Sequence, residues 1–250
     1  MAAGNIAVSD AENAVPSIPE DRRRRDLLEL SFGYALILLV IWTPSPWQRP
    51  LYCTAAAFIL AVSWKSFDSW QAMGLRTTNL LRSLGVVGVA LLVAAAAVII
   101  AARLNTLRPA HGPVELIQRF WGYAIWAFAQ QFLLQDFFLP RLLRLFPGRK
   151  LAVVIAASIF ALAHLPNPIL TSVTFVWGLV TCLLFLHFRN LYPLAIAHAI
   201  LGISLAITLP GPVTHNMRVG LGYLTYSPHQ VHHRSPLHFS HRDHIVSTDA

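Results

Sequence analysis

The sequence predicts an all-α fold, a polytopic bundle of transmembrane helices with about seven spans. Three observations carry that expectation. Of the 250 residues 56% are hydrophobic and only 12% charged, where soluble domains carry about a quarter. The apolar residues gather into long runs, and a helix needs about 20 of them to cross a bilayer. The basic residues fall mainly between those runs. The net charge of +8 therefore reads as a set of topology signals facing anionic lipid headgroups, not as a nucleic-acid footprint. Membrane lipids are expected partners and nucleic acid is not. Cys53 and Cys182 both lie in apolar runs, which excludes a disulfide framework.

Taken in order, residues 1–26 are expected to form a disordered cytoplasmic N-terminus, polar up to Asp21 and then basic from Arg22 to Arg25, as in an uncleaved signal anchor. The N-terminal transmembrane helices, 27–118, hold three spans: Leu27 to Thr43, Leu51 to Trp64 with Trp47 and Trp64 as interfacial anchors, and Leu84 to Ala102. A core at 119–209 holds four more: Phe120 to Leu139, Leu151 to Leu165, Ile169 to Phe188 and Leu191 to Leu209. Pro166 and Pro168 bracket a tight LPNP turn between the fifth and the sixth. Residues 210–250 form a polar tail in which histidines concentrate from His215 to His244. It reads as a polar extension with incidental metal affinity. Within the tail, MRVGLGYLTY is apolar enough to pack against the periplasmic face of the bundle.

Orientation follows from the loops. Arg22 to Arg25, Lys65, Arg76, Arg82, Arg141, Arg144, Arg149, Lys150 and Arg189 fall on one set of alternate connections, and Arg49, Arg103, Arg108 and Arg119 on the other. The excess marks the cytoplasmic side, so the N-terminus is expected there, in a bacterial-type inner (cell) membrane.

The chemistry concentrates in Phe128 to Arg141, FAQQFLLQDFFLPR. A polar group in hydrocarbon costs several kcal/mol unless it finds a partner, so Gln130, Gln131, Gln135 and Asp136 should face protein or a wet cavity. Gln131 and Gln135, four apart, share a helix face, and Gln130 lies about 100° round from Gln131. Glutamine can also serve simply as interhelical glue. His164, one turn after Phe160, and His198, in the middle of LYPLAIAHAILG, are the expected partners on two further helices.

The order of these elements resembles the CAAX protease and bacteriocin-processing (CPBP, or Abi) family of intramembrane endopeptidases. Its motifs read EExxxR, FxxxH and Hxxx(N/D). The resemblance runs from about Trp121 to Ala206. It implies that Gln130 stands at the water-activating glutamate, Gln131 at its neighbour and Gln135 at the motif arginine. His164 and His198 stand at the two histidines that hold water and oxyanion, and Gly202 at the last motif position. It implies a CPBP-like fold and hydrolysis of a peptide or protein tail in or near the membrane, with Gln130, Gln131, His164 and His198 as catalytic candidates. Gln135, Phe160 and Asn167 are the substrate-binding candidates. A glutamine amide cannot accept a proton as a buried glutamate can, so the alternative is a silent pseudoprotease that binds, scaffolds or confers immunity. No cofactor is expected. Zinc is the remaining candidate, but catalytic zinc takes three protein ligands, often as HExxH, and no HExxH occurs. The sequence sets neither the substrate nor the oligomeric state.

Overall fold

The computed structural model describes residues 19–227, apart from residue 78 and residues 109–111, and apart from the side chains of residues 113 and 116. Among the described residues there is helix and no strand. That is the economical answer to a lipid solvent, since a helix satisfies its own backbone groups. The helices are α1 (Glu20–Trp42), α2 (Ser45–Lys65), a short α3 (Leu80–Ser83) and α4 (Gly85–Arg103). Then come α5 (Pro113–Phe132), a π-helical turn (Leu133–Phe138), α6 (Leu139–Leu145), α7 (Arg149–Leu162), α8 (Pro168–Phe188) and α9 (Leu191–Thr208). Two short helices, α10 (Gly211–Thr214) and α11 (Gly220–Leu224), flank a 3-10 turn at His215–Met217.

Each of the seven expected apolar segments lies in a helix. Three helical stretches, Leu80–Arg103, Pro168–Phe188 and Leu191–Thr208, are long and apolar enough by themselves to cross a membrane. α7 is shorter, with 14 residues. The chain is an all-α helical membrane bundle.

Specific contacts tie the two ends of the bundle. At one end Arg144 grips Asp26 with both carboxylate oxygens at 2.8 Å. Arg141 reaches Glu29 at 2.9 Å and Ser66 at 3.2 Å, and Asn190 donates to the Arg76 carbonyl at 3.1 Å. At the other end Arg108 caps the last turn of α9 through the carbonyls of Ala206 and Leu209, at 2.8 and 2.6 Å. Cations at a helix C-terminus satisfy orphan carbonyls and complement the dipole. Asn167, the N-cap of α8, accepts from Leu170 N and donates to the Thr214 and Arg218 carbonyls at 2.9 and 3.1 Å. It thereby fastens the 211–218 segment under the α7–α8 turn.

The structure moves two boundaries. Glu20–Asp26 are helical, the first turns of α1, where the sequence suggested disorder. Asp26 is fully buried against Arg144, a partner 118 residues on that local reading does not see. The segment after Pro210 folds back onto the bundle as far as Ser227, with the Gly220 amide donating to the Leu165 carbonyl at 2.8 Å. The first 18 residues and the histidines beyond Ser227 lie outside the described residues.

The π turn is local chemistry. Pro140 has no N–H, and in a regular helix its ring would press on the carbonyl four residues back. The backbone widens just before it. The Leu139 amide bonds to the Leu134 carbonyl, five residues back, and the buried Arg141 guanidinium donates to the Phe137 carbonyl at 2.7 Å while lying over the Phe137 ring at 4.4 Å. Such turns recur at functional sites. Close packing completes the core: Ala152, Ala156 and Ala157 of α7 are buried, and a Cβ at Gly178 of α8 would lie 3.1 Å from Ala157 Cα. Small residues let membrane helices approach in this way.

Candidate active site

Three helices supply the site. Gln130 and Gln131 sit two to three residues before the π turn, His164 in the turn after α7, and His198 in the middle of α9. Gln131, Gln135 and His198 are buried, and Gln130 and His164 partly so. His164 Nδ1 lies 2.8 Å from the Phe160 carbonyl. A carbonyl only accepts, so that nitrogen carries the proton and Nε2 presents a lone pair. Beside it, at 3.5 Å, stands the Gln130 amide nitrogen.

The second histidine is held by a chain of amides. Gln135 Nε2 donates to Gln131 Oε1 at 3.3 Å, and Gln131 Nε2 stands 3.1 Å from His198 Nδ1. With its oxygen engaged by Gln135, Gln131 offers its N–H to His198, whose Nδ1 accepts. The His198 proton is then on Nε2. The two imidazoles are complementary: one exposes a lone pair, the other an N–H.

Both face one cavity of about 940 Å³, lined by Gln130, Phe160, His164 and His198 among mostly apolar residues from α1, α2, α4, α5, α7, α8 and α9. Among the described residues no formally charged side chain lines it. Phe160 packs edge-on against both histidines, its centroid 5.1 Å from His164 and 6.1 Å from His198. The structure thus brings Gln130, Phe160, His164 and His198 to the cavity wall. Gln131 and Gln135 lie behind it, as the ladder that holds His198. Asn167 is not on the wall, because its amide is occupied at the base of α8. Asp136 does not line the cavity either, and its Oδ2 is buried without a hydrogen-bond partner.

Among the polar residues of this wall that did not stand out in the sequence are Tyr123 and Trp177. Tyr123 precedes Gln130 by seven positions, two helical turns on the same face, and that spacing is the signal that would have found it. Trp177 lies mid-helix in α8 with its ring centroid 6.0 Å from His198 and its Nε1 buried and unpartnered. Nothing in its local sequence separates it from a lipid-facing Trp.

As a metal centre the donor set is short. His198 has one ring nitrogen engaged by protein and His164 has both within hydrogen-bond reach of it, and among the described residues no three His, Cys, Asp or Glu side chains gather. The described residues do not gather the three-ligand set that catalytic zinc takes.

Fold and site together define a helical membrane protein with a histidine and amide centre recessed in an apolar cavity. The stretch that builds that centre, residues 112–203, matches the family described as "Type II CAAX prenyl endopeptidase Rce1-like". Over that stretch the match agrees with the family resemblance read from the motifs. No curated protein and no solved structure matches the chain.

Proposed function

We propose that the protein is a CAAX-protease-like intramembrane endopeptidase that cleaves a peptide or protein tail entering the cavity from the bilayer. The observation that carries the reading is the meeting of His164, His198 and Gln130 on one cavity wall. With Gln130 in place of a carboxylate, His164 is the group that can take a proton from water. Its Nε2 lone pair deprotonates a water, whose oxygen bonds to the scissile carbonyl carbon as the carbonyl electrons move onto oxygen. The His198 Nε2–H stabilises that oxyanion, and the Gln130 amide orients the water. When the intermediate collapses the C–N bond breaks. The proton on His164 passes to the leaving amine, giving a carboxylate-ended peptide and an amine-ended one.

The basic excess at the Arg144 end of the bundle supports a cytoplasmic N-terminus, in the inner (cell) membrane of a bacterial-type cell. The cavity extends among the α1, α2, α8 and α9 residues nearer the other end. Membrane lipids and an apolar peptide are the partners it suits.

A second reading keeps binding and drops hydrolysis. It is favoured by the amide at position 130 and by the lack of any carboxylate on the described cavity wall. A lipid-reconstituted reporter peptide separates the two. Under the enzyme reading His164→Ala lowers cleavage about 10²–10⁴-fold with unchanged membrane insertion. A wild type that cleaves nothing, paired with a Gln130→Glu variant that does, establishes the silent binder.

A further inference from the structure

Gly202 of α9 sits where the phenol of Tyr123 crosses from α5. A Cβ built on Gly202 would collide with Tyr123 Oη and lie only 2.5 Å from Cζ and 2.7 Å from Cε1. Only glycine leaves that notch, and the ring fills it. The result is a hydroxyl laid across α9 one turn beyond His198, with the Tyr123 ring edge-on to the imidazole at a centroid distance of 6.5 Å. Tyr123 and Gly202 both line the cavity, and the hydroxyl has no hydrogen-bond partner among the described residues. Tyr123 is only partly buried, on the cavity wall. The Trp177 ring lies 6.0 Å from His198, and its indole N–H is buried and unpartnered. Polar groups left open around one imidazole are groups awaiting a ligand.

We infer that Tyr123, seated in the Gly202 notch, donates its hydroxyl to the substrate carbonyl beside His198, and that the Trp177 N–H flanks the same oxygen. The inference rests on the endopeptidase reading for its substrate but not for its test. In this chain α9 offers no side chain at position 202, so the donor comes from α5 instead. The site then combines three donors and no formal charge: a phenol, an indole and an imidazole N–H, around an oxygen that becomes negative only during reaction. Donors aimed at developing charge in a dry cavity act most strongly there.

The experiment uses full-length protein in lipid nanodiscs and a hydrophobic tripeptide phosphonate, whose tetrahedral anionic oxygens mimic the reacting carbonyl. Tyr123→Phe keeps the ring and removes only the hydroxyl. It is expected to weaken phosphonate binding about 10²-fold, to lower kcat by a similar factor and to leave KM for a cleavable peptide unchanged. Gly202→Ala should weaken phosphonate binding likewise, because its methyl displaces the phenol. Wild-type binding of the phosphonate by Tyr123→Phe overturns the inference, as does a wild type that does not bind it. If the wild type binds the phosphonate in a Tyr123-dependent way yet cleaves no peptide, the endopeptidase reading falls and the Tyr123 site stands.

Discussion

Two buried polar clusters lie along the same length of chain, on either side of the π turn, and they are built from opposite materials. Beyond the turn, Arg141 and Arg144 of α6 pair with Glu29 and Asp26 of α1 in charged contacts of 2.8–2.9 Å. Before it, Gln130 and Gln131, with Gln135 in the turn itself, meet His164 and His198 through neutral hydrogen bonds. The charged cluster sits at the end of the bundle, where the Arg144 side chain is still 29% exposed and can reach water and headgroups. The neutral one sits deeper, where an ion is far more costly to bury. Depth decides which chemistry a buried polar cluster can use. The inner cluster is built from three amides and two imidazoles and carries no formal charge.

The difference can be broken deliberately. The largest effect is expected at the charged end. Arg141→Ala removes the nearer of Glu29's two arginine partners, leaving only the exposed Arg25 at 3.5 Å, and the donor to the Phe137 carbonyl, in a site only 2% exposed at the arginine. Breaking a buried pair from one side costs about 3–5 kcal/mol. Titration with SDS from mixed micelles should show it, together with loosening of α1 from α6 by hydrogen exchange. At the neutral end Gln131→Leu orphans His198 Nδ1 and Gln135 Nε2. A buried group without its partner costs about 1–3 kcal/mol, so the same titration should give the smaller loss. An equal or larger loss for Gln131→Leu would overturn the contrast between the clusters.

Much of this was legible beforehand, and the reasons are particular. The seven apolar segments announced the helices because lipid permits few alternatives for the backbone. His164, His198 and Gln130 stood out because polar atoms in such segments need partners. Features set by distant contacts were not readable. The early start of α1 depends on Arg144, more than a hundred residues on. The π turn, by contrast, has a local cause in Pro140, and Arg141 engages the Phe137 carbonyl only four residues back. Gln131 and Gln135 share a face as their spacing implied, yet that face turns to α9 and supports His198 instead of lining the cavity. Tyr123 was hidden for a related reason, because its seat exists only where α5 crosses α9 at a residue without a side chain.

The central claim is a proton arrangement: two neutral imidazoles in one cavity, His164 offering a lone pair on Nε2 and His198 an N–H on Nε2. Nitrogen-15 NMR of histidine-labelled protein in nanodiscs reads it directly, with His164→Ala and His198→Ala for assignment. The expected spectrum has one ring protonated at Nδ1, lost in His164→Ala, and one protonated at Nε2, lost in His198→Ala. The same tautomer on both rings, or His198 protonated at Nδ1, would contradict the account.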